Sequence, residues 1–338
     1  MMKPNKILIV GPAWVGDMVM AQTLFKVLKE QDANCIIDVI APDWTRALLS
    51  RMPEVHEAIS MPLGHGQFNF WHRVKIGRAL RSKKYDTAYI LPNSWKSALI
   101  PFFAGIKKRI GWKGEARYFL LNDMRYLEEG KNALMIERFM ALAIPKNAQL
   151  EKPYPLPKLV IDNQSMKASV AKHKLQIEKP ILALCPGAEF GPSKRWPAKY
   201  YAEVANAKLA KGFQVWLFGS KNDMDAAKEI QALTDNACID LTGKTSLNEA
   251  IDLLSLAKIV VSNDSGLMHI AAALHKPLIA VYGSTSPKFT PPLGEKVKIL
   301  QLPLACSPCF KRECPLQHWR CMRDLKSSLV IDAIEKLT

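Results

Sequence analysis

Acidic residues are scarce in this 338-residue chain: 31 Asp and Glu stand against 47 Lys and Arg, a net charge of +16. That imbalance points to anionic partners and away from basic ones. Neither glycine-containing loop has the G-x-G-x-x-G spacing, which argues against a nicotinamide dehydrogenase. No secretory signal opens the chain, because a hydrophobic β-strand begins within a few residues of Met1. Long apolar runs are missing as well. The uncharged stretch Ser97–Ile106, closed by Lys96 and Lys107, is about half the length that spans a bilayer. A cytoplasmic chain is expected, with membrane contact at most peripheral. There is no repeat of fixed period and no low-complexity tract. No RNA or DNA motif is present, and the aromatics form no stacking platform, so a nucleic-acid partner is not expected.

What is present reads as a globular protein, 49% apolar and 23% charged, long enough for two domains. The charge is concentrated. Between Arg73 and Arg125 there are 13 Lys and Arg against Asp86, Glu115 and Asp123, which supplies +10 of the +16. Nucleic acid, an anionic lipid surface or an acidic acceptor would each match such a region. A set of solvated helix faces is the bland alternative.

Apolar runs and helical periodicities alternate along the chain. Strands are expected at Ile7–Val10, Cys35–Ile40 and Thr87–Leu91, with helices at Asp17–Glu30, Pro42–Met52 and Trp71–Ser82. Pro153, Pro155 and Pro157 then interrupt the pattern, placing a linker between Gln149 and Pro157 or in the polar segment up to Pro180. The alternation restarts with strands at Ile181–Cys185, Phe213–Phe218, Ile259–Ser262 and Leu278–Tyr282. Helices are expected at Pro197–Lys211, Leu247–Leu256, Leu267–Leu274 and Ile331–Leu337. Repeated βαβ units predict an α/β fold with parallel sheets covered on both faces. The domains are expected at 1–165 and 175–320, followed by a tail with a closing helix at 321–338.

Two strand-to-loop junctions carry contrasting chemistry. The first runs from Ile7–Val10 into Gly11-Pro12-Ala13-Trp14-Val15-Gly16-Asp17 and ends in a carboxylate. The second runs from Ile181–Cys185 into Pro186-Gly187-Ala188-Glu189-Phe190-Gly191-Pro192-Ser193-Lys194 and ends in a cation. Asp17 at a helix start reads first as a cap, yet ligands of open α/β sheets bind where parallel strands end. Small residues around Lys194 would let the backbone approach a diphosphate. Asn263-Asp264-Ser265-Gly266-Leu267-Met268-His269 follows a buried strand and opens an apolar helix. Asp264 or Ser265 can cap that helix, and Gly266 leaves room for a phosphate on its first N–H groups. His269 reads more simply as a packed polar residue. Asp223-Met224-Asp225 fits the D-x-D of metal-dependent sugar transferases, but two first-turn acids explain it, so no metal is expected there. Cys306, Cys309, Cys314 and Cys321 have spacing that could hold zinc in a short loop; unligated thiols are the reading preferred on sequence.

Taken in order, these segments resemble glycosyltransferase family 9, the ADP-heptose–lipopolysaccharide heptosyltransferases. Met61-Pro62-Leu63-Gly64-His65-Gly66, Leu91-Pro92-Asn93-Ser94 and Lys194-Arg195-Trp196-Pro197 complete the set, and the likeness runs from Lys6 to about Pro292. The resemblance implies the GT-B architecture, two Rossmann-like domains facing a central cleft. It implies Asp17 as general base for an inverting, metal-independent transfer, with Lys194 assisting departure of ADP. The donor ADP-heptose would meet Gly187, Lys194, Asp223 and Asp264 through His269, including Ser265, Gly266, Leu267 and Met268. The lipopolysaccharide inner-core acceptor would meet Trp14, Asn93, Lys107, Lys108 and Arg109 at the cytoplasmic face of the inner membrane. No cofactor is implied. A different GT-B transferase or sugar-nucleotide epimerase shares the scaffold, and a basic nucleic-acid-binding protein is the non-enzyme alternative.

Overall fold

The computed structural model describes residues 4–64, 67–128, 130–146 and 148–337; His65 and Gly66 of the Met61–Gly66 segment lie outside the described residues. The chain divides into two compact units, Met1–Pro157 and Lys158–Thr338. The break follows the three prolines. Among the described residues each unit carries one six-stranded sheet, and every strand pairing is parallel.

In the first unit the strands are β1 (Lys6–Val10), β2 (Ile36–Ala41), β3 (Glu57–Ser60), β4 (Thr87–Ile90), β5 (Lys108–Trp112) and β6 (Asp123–Arg125), in the order β3-β2-β1-β4-β5-β6. β1 has Ile7, Leu8, Ile9 and Val10 all buried, as a central parallel strand covered on both faces requires. The helices are α1 (Val15–Gln31), α2 (Asp43–Leu49), α3 (Phe70–Leu80), α4 (Leu99–Phe103) and α5 (Met135–Met140). α1 buries Met18, Leu24, Phe25 and Leu28, and α5 packs against it.

The second unit contains α6 (Asn163–Lys172), β7 (Ile181–Cys185), α7 (Ala198–Leu209), β8 (Gln214–Leu217), α8 (Met224–Ala232), β9 (Ile239–Asp240) and α9 (Leu247–Leu254). It continues through β10 (Ile259–Asn263), α10 (Gly266–Ala273), β11 (Leu278–Tyr282), β12 (Val297–Gln301), α11 (Arg320–Arg323) and α12 (Ser327–Leu337). Its order, β12-β11-β10-β7-β8-β9, repeats the first unit's doubly wound arrangement when counted from β7. Strand order therefore reverses between β1 and β4 in one unit and between β7 and β10 in the other.

Two boundaries differ from the sequence expectation. Residues up to 165 do not stay with the first unit: Asp162 caps α6, accepting from the N–H groups of Gln164 at 2.9 Å and Ser165 at 3.0 Å, and α6 packs on α9 of the second unit. Residues 321–338 are not an appended tail. Met322, Leu325, Val330, Ala333 and Ile334 belong to the same core as Trp196, Tyr201 and Val204. The elements invisible to periodicity are the short or polar ones, such as β3, the two-residue β9 and the half-exposed β12. Ile334→Ala should therefore cost about 2–5 kcal/mol in urea unfolding, as a large-to-small core change does. Deletion of 321–338 should abolish the second unit's cooperative transition; a native-like melt after that deletion would show the tail to be separate.

Candidate active site

A cavity of ≈ 370 Å³ opens at the carboxyl end of the first sheet, lined by the loops that leave β1, β2, β3 and β4. Gly11 carries the β1–β2 ladder one step past β1, donating to the Ile40 carbonyl at 2.9 Å. A Cβ on Gly11 would lie 2.6 Å from Met18 Cε. Trp14 is the N-cap residue of α1 and contributes no side-chain cap, and Asp17 follows in the first turn. Both line the cavity, with Asn93 on the β4 loop. The indole of Trp44 donates to the Ala13 carbonyl at 2.9 Å and clasps the β1 loop from the side of α2.

The wall opposite β1 is held by a buried cation that sequence reasoning missed. Arg117 is fully buried. Its guanidinium donates to the Pro92 carbonyl at 2.7 Å, to Asn93 Oδ1 at 3.3 Å, to Ser97 Oγ at 3.2 Å and to the Trp112 carbonyl. Burial lowers its pKa to about 10. A planar fork of donors can join several carbonyls at once, where a lysine offers a single point of charge. Gly114 completes the contact, since a Cβ there would meet the Asn93 carbonyl oxygen at 2.2 Å.

Arg117 is one of several. Arg73 donates to the carbonyls of Phe68 at 2.7 Å and Gln67 at 3.1 Å, Arg81 to Phe103 at 2.8 Å, and Arg125 to Ile144 at 2.6 Å. Much of the Arg73–Arg125 charge thus braces backbone and is not presented as a patch. Arg109 belongs with this group: it donates to the Leu120 carbonyl at 2.6 Å, the Ile106 carbonyl at 2.6 Å and the Phe119 carbonyl at 3.2 Å. Lys107 and Lys108 are exposed, but Lys108 pairs with Thr87 at the amino end of the strands, away from the edge where the cavity opens. The structure does not bring Lys107, Lys108 or Arg109 to the cavity. The cations that do line it are Arg73, Lys96 and Arg138, of which Lys96 was legible only as one basic residue among many.

In the second unit the loops after β7 and β10 meet. Trp196 anchors the first of them: it is buried, its indole donates to the Leu325 carbonyl at 2.8 Å, and its ring lies edge-on to Tyr201 at 4.9 Å. Asn263 joins the two loops. Its Oδ1 accepts from the Trp196 N–H at 3.2 Å and the Tyr201 hydroxyl at 2.9 Å, and its Nδ2 donates to the Pro186 carbonyl at 2.6 Å. With Trp196 fixed, Lys194 reaches the end of β10, where its ammonium meets Asp264 Oδ2 at 2.6 Å. The Thr285 hydroxyl donates to the same oxygen at 2.5 Å. Lys194 also stands 4.9 Å over the Phe190 ring.

Helix α10 starts at this ion pair. Its N-cap Ser265 makes no side-chain cap, and its hydroxyl lies 3.2 Å from that of Ser262. The capping reading of Asp264 and Ser265 therefore does not hold, and the first N–H groups of α10, at Gly266, Leu267 and Met268, are left without a side-chain cap. Met268 and His269 are buried beneath them. Burial, against the raising effect of Asp264, brings the His269 pKa down to about 4.

Gly187 and Asp223 are packed together: a Cβ on Gly187 would lie 2.3 Å from the carboxyl carbon of Asp223. The Asp223 carboxylate accepts from the Ser220 N–H and hydroxyl, both at 2.8 Å, and approaches Arg195 at 3.8 Å. Asp223 closes a capping box with Ser220 in the turn before α8 and makes no side-chain cap on α8 itself, while Asp225 lies in the first turn of α8 with a side chain 99% exposed, so the reading of D-x-D as acids at a helix start fits. The two acids do not converge. A separate trio, Asp38, His56 and Glu57, does bring three ligand atoms together, but Lys83 is paired with Glu57 and lies 4.0 Å from Asp38. That cluster is an ion-pair network.

Residues 73–320 match the sequence pattern of glycosyltransferase family 9 (heptosyltransferase). The chain belongs to this family. Lipopolysaccharide heptosyltransferase 2 of Escherichia coli strain K12 is 47% identical over 98% of both chains. Lipooligosaccharide heptosyltransferase 2 of Haemophilus ducreyi is 50% identical over 88% of both. The solved structure of E. coli ADP-heptose lps heptosyltransferase II superposes with a TM-score of 0.87 at 44% identity, covering 98% of each chain. The expected α/β fold of GT-B type, with two Rossmann-like units, is thus the fold of this family 9 chain.

His269 gives this site a pH signature. Its folded pKa of about 4 lies below the ordinary histidine value, so the unfolded chain binds the extra proton first as pH falls. The stability that comes from burying the neutral ring is complete above about pH 6.5 and declines as pH falls toward about 4. Urea titrations of wild type and His269→Gln across that window should show a shallower slope for the variant; parallel slopes would remove His269 as the cause. Arg117→Lys should lower stability at neutral pH by about 3 kcal/mol, as carbonyl partners of a charged donor are left bare in a buried loop.

Proposed function

We propose that the chain is an inverting heptosyltransferase of the heptosyltransferase II type. It transfers L-glycero-D-manno-heptose from ADP-heptose to the heptosylated inner core of lipopolysaccharide. The names of near-full-length relatives support the donor and acceptor classes. The observation that carries the chemistry is Asp17 in the cavity wall beside Trp14 and Asn93, at the point where strand order reverses.

In this reading Asp17 accepts the proton of an acceptor heptose hydroxyl as that oxygen attacks the anomeric carbon of the donor. The new glycosidic C–O bond forms as the bond to the diphosphate breaks, with inversion, and ADP departs with the electron pair. Its developing charge meets Lys194 and the N–H groups at the start of α10. An ammonium has three donors, so Lys194 can keep Asp264 and still reach a phosphate oxygen. Asp264 serves the donor at its sugar hydroxyls or its phosphates, and Asp223, packed on Gly187, is the candidate acid for the ribose. No step uses a metal.

The acceptor is lipid-anchored, so the enzyme works in the cytoplasm at the inner membrane face. Among the described residues no helix is long and apolar enough to cross a membrane, and contact with the surface would be peripheral. Lys96 supplies positive charge in the cavity lining, and Lys107 and Lys108 add exposed charge elsewhere on the unit.

A turnover assay with ADP-heptose and a mono-heptosylated core acceptor tests the chemistry. Asp17→Asn should lower kcat by about 10²–10⁴-fold with donor affinity retained, and Lys194→Ala should lower it by about 10²–10³-fold. Near-wild-type turnover in Asp17→Asn would remove the proposed base. Calorimetry should rank ADP above UDP and GDP; the reverse ranking would point to another GT-B enzyme. Lys107→Glu/Lys108→Glu should weaken binding to anionic vesicles and leave ADP affinity unchanged.

A further inference from the structure

The last third of the second unit contains a segment, residues 302–319, with no helix or strand. Phe310 and Leu316 are exposed, so this stretch does not hold itself with an apolar core. An irregular segment of that length inside a compact unit needs another source of order. Four of the chain's seven cysteines fall in or beside it. Cys306, Cys309, Cys314 and Cys321 all line one void of ≈ 20 Å³, together with His318. None is in a disulfide, and the other three cysteines, Cys35, Cys185 and Cys238, are buried in the sheet units.

The surroundings suit thiolates. The chain turns at Cys314, whose carbonyl accepts from the Gln317 N–H at 3.0 Å. His318 Nδ1 accepts from the Arg320 N–H at 3.1 Å, which leaves the proton on Nε2, 3.9 Å from Cys306 Sγ. Lys311, Arg312, Arg320 and Arg323 stand against Glu313 alone between residues 306 and 323. Four thiolates around a divalent cation carry a net charge of −2, and the His318 N–H and these cations complement it.

We propose that Cys306, Cys309, Cys314 and Cys321 bind one zinc ion as a closed structural site. The void admits a water-sized body, and four thiols in a short irregular segment are the donor set of a tetrahedral structural zinc site. Zn–S bonds of about 2.3 Å set a sulfur–sulfur edge of about 3.8 Å in a tetrahedron. No three of these sulfurs lie mutually within 4.8 Å, so binding draws the segment inward. Four thiols release four protons as they bind the ion. No coordination position is left open for substrate, so the ion does no chemistry.

Its effect would pass to the diphosphate loop. The cysteine segment is laid along that loop: Arg312 O accepts from the Ser193 N–H at 3.1 Å and Lys311 O from the Ser193 hydroxyl at 2.5 Å. Phe310 N–H donates to the Ser284 carbonyl at 2.7 Å, and Ser307 Oγ to the Gly283 carbonyl at 2.6 Å. Gly191 has φ +152, and a Cβ there would meet the Arg312 carbonyl oxygen at 2.7 Å. The cations of Lys194, at 4.9 Å, and Arg312, at 5.7 Å, both approach the Phe190 ring. Fixing Cys309 and Cys314 fixes Lys311 and Arg312, and through them the loop that ends in Lys194.

The test is metal content, which stands apart from heptosyl transfer. Full-length protein without a histidine tag, expressed in zinc- and iron-supplemented medium and dialysed, should carry about one zinc per chain by mass spectrometry. Cys309→Ser/Cys314→Ser should lose it, and Cys35→Ser should keep it. A variant that fails to fold leaves wild type to decide. A mercurial thiol reagent should release the zinc to a chromogenic chelator, and cobalt grown into the site should show tetrahedral thiolate absorption. ADP affinity of the stripped protein should fall by about tenfold, the worth of one misplaced charge-assisted hydrogen bond. Absence of stoichiometric metal, iron in its place, or zinc retained by the double variant would each overturn the proposal.

Discussion

In a parallel sheet every strand delivers its carboxyl end to the same edge, and in this chain the central strands are buried on both faces. Polar chemistry has no room between the helices. It collects in the loops beyond the strand ends, most of all where the strand order reverses and neighbouring loops diverge. Asp17 and Asn93 follow β1 and β4, and Lys194 and Asp264 follow β7 and β10. Each unit therefore uses the same geometric opening, and the residues at the two openings differ in charge.

The loops are made rigid in different ways. In the first unit a buried arginine joins carbonyls from the β4 loop to the end of β5, so a cation is used as a bracket for backbone. In the second an amide side chain, Asn263, ties the two loops together through the Trp196 backbone N–H, the Tyr201 hydroxyl and the Pro186 carbonyl. Both devices satisfy buried polar groups that a loop near a core would otherwise leave bare. Lys194 differs from these because its partner is a carboxylate at the mouth of a helix without a side-chain cap. Its charge is already desolvated in part, which strengthens its pull on a diphosphate.

Much of the fold was legible because its signals are local. Ile181–Cys185 and Leu278–Tyr282 are strands residue for residue, and α1 and α10 begin within two residues of expectation. The loops at both reversal points were also found, since glycine turns and short polar runs mark where apolar strands stop. The cations were another matter. Lys107, Lys108 and Arg109 look like an anion site in sequence, yet Arg109 turns to carbonyls of its own unit and the lysines sit at the opposite strand ends. The capping of α10 by Asp264 or Ser265 failed for a similar reason, because Lys194 and Thr285 claim the carboxylate from other loops.

The sequence by itself determined the βαβ succession, the break after the prolines and the loops that carry chemistry, because hydrophobic period, proline and glycine act over a few residues. Only the tertiary structure decided which basic residues face the first unit's cavity, which brace backbone, and that four cysteines from a 16-residue span line a single void. Those outcomes depend on carbonyls and side chains brought together by strand pairing across distant parts of the chain. Composition does not encode where a guanidinium will find its acceptors; the folded backbone does.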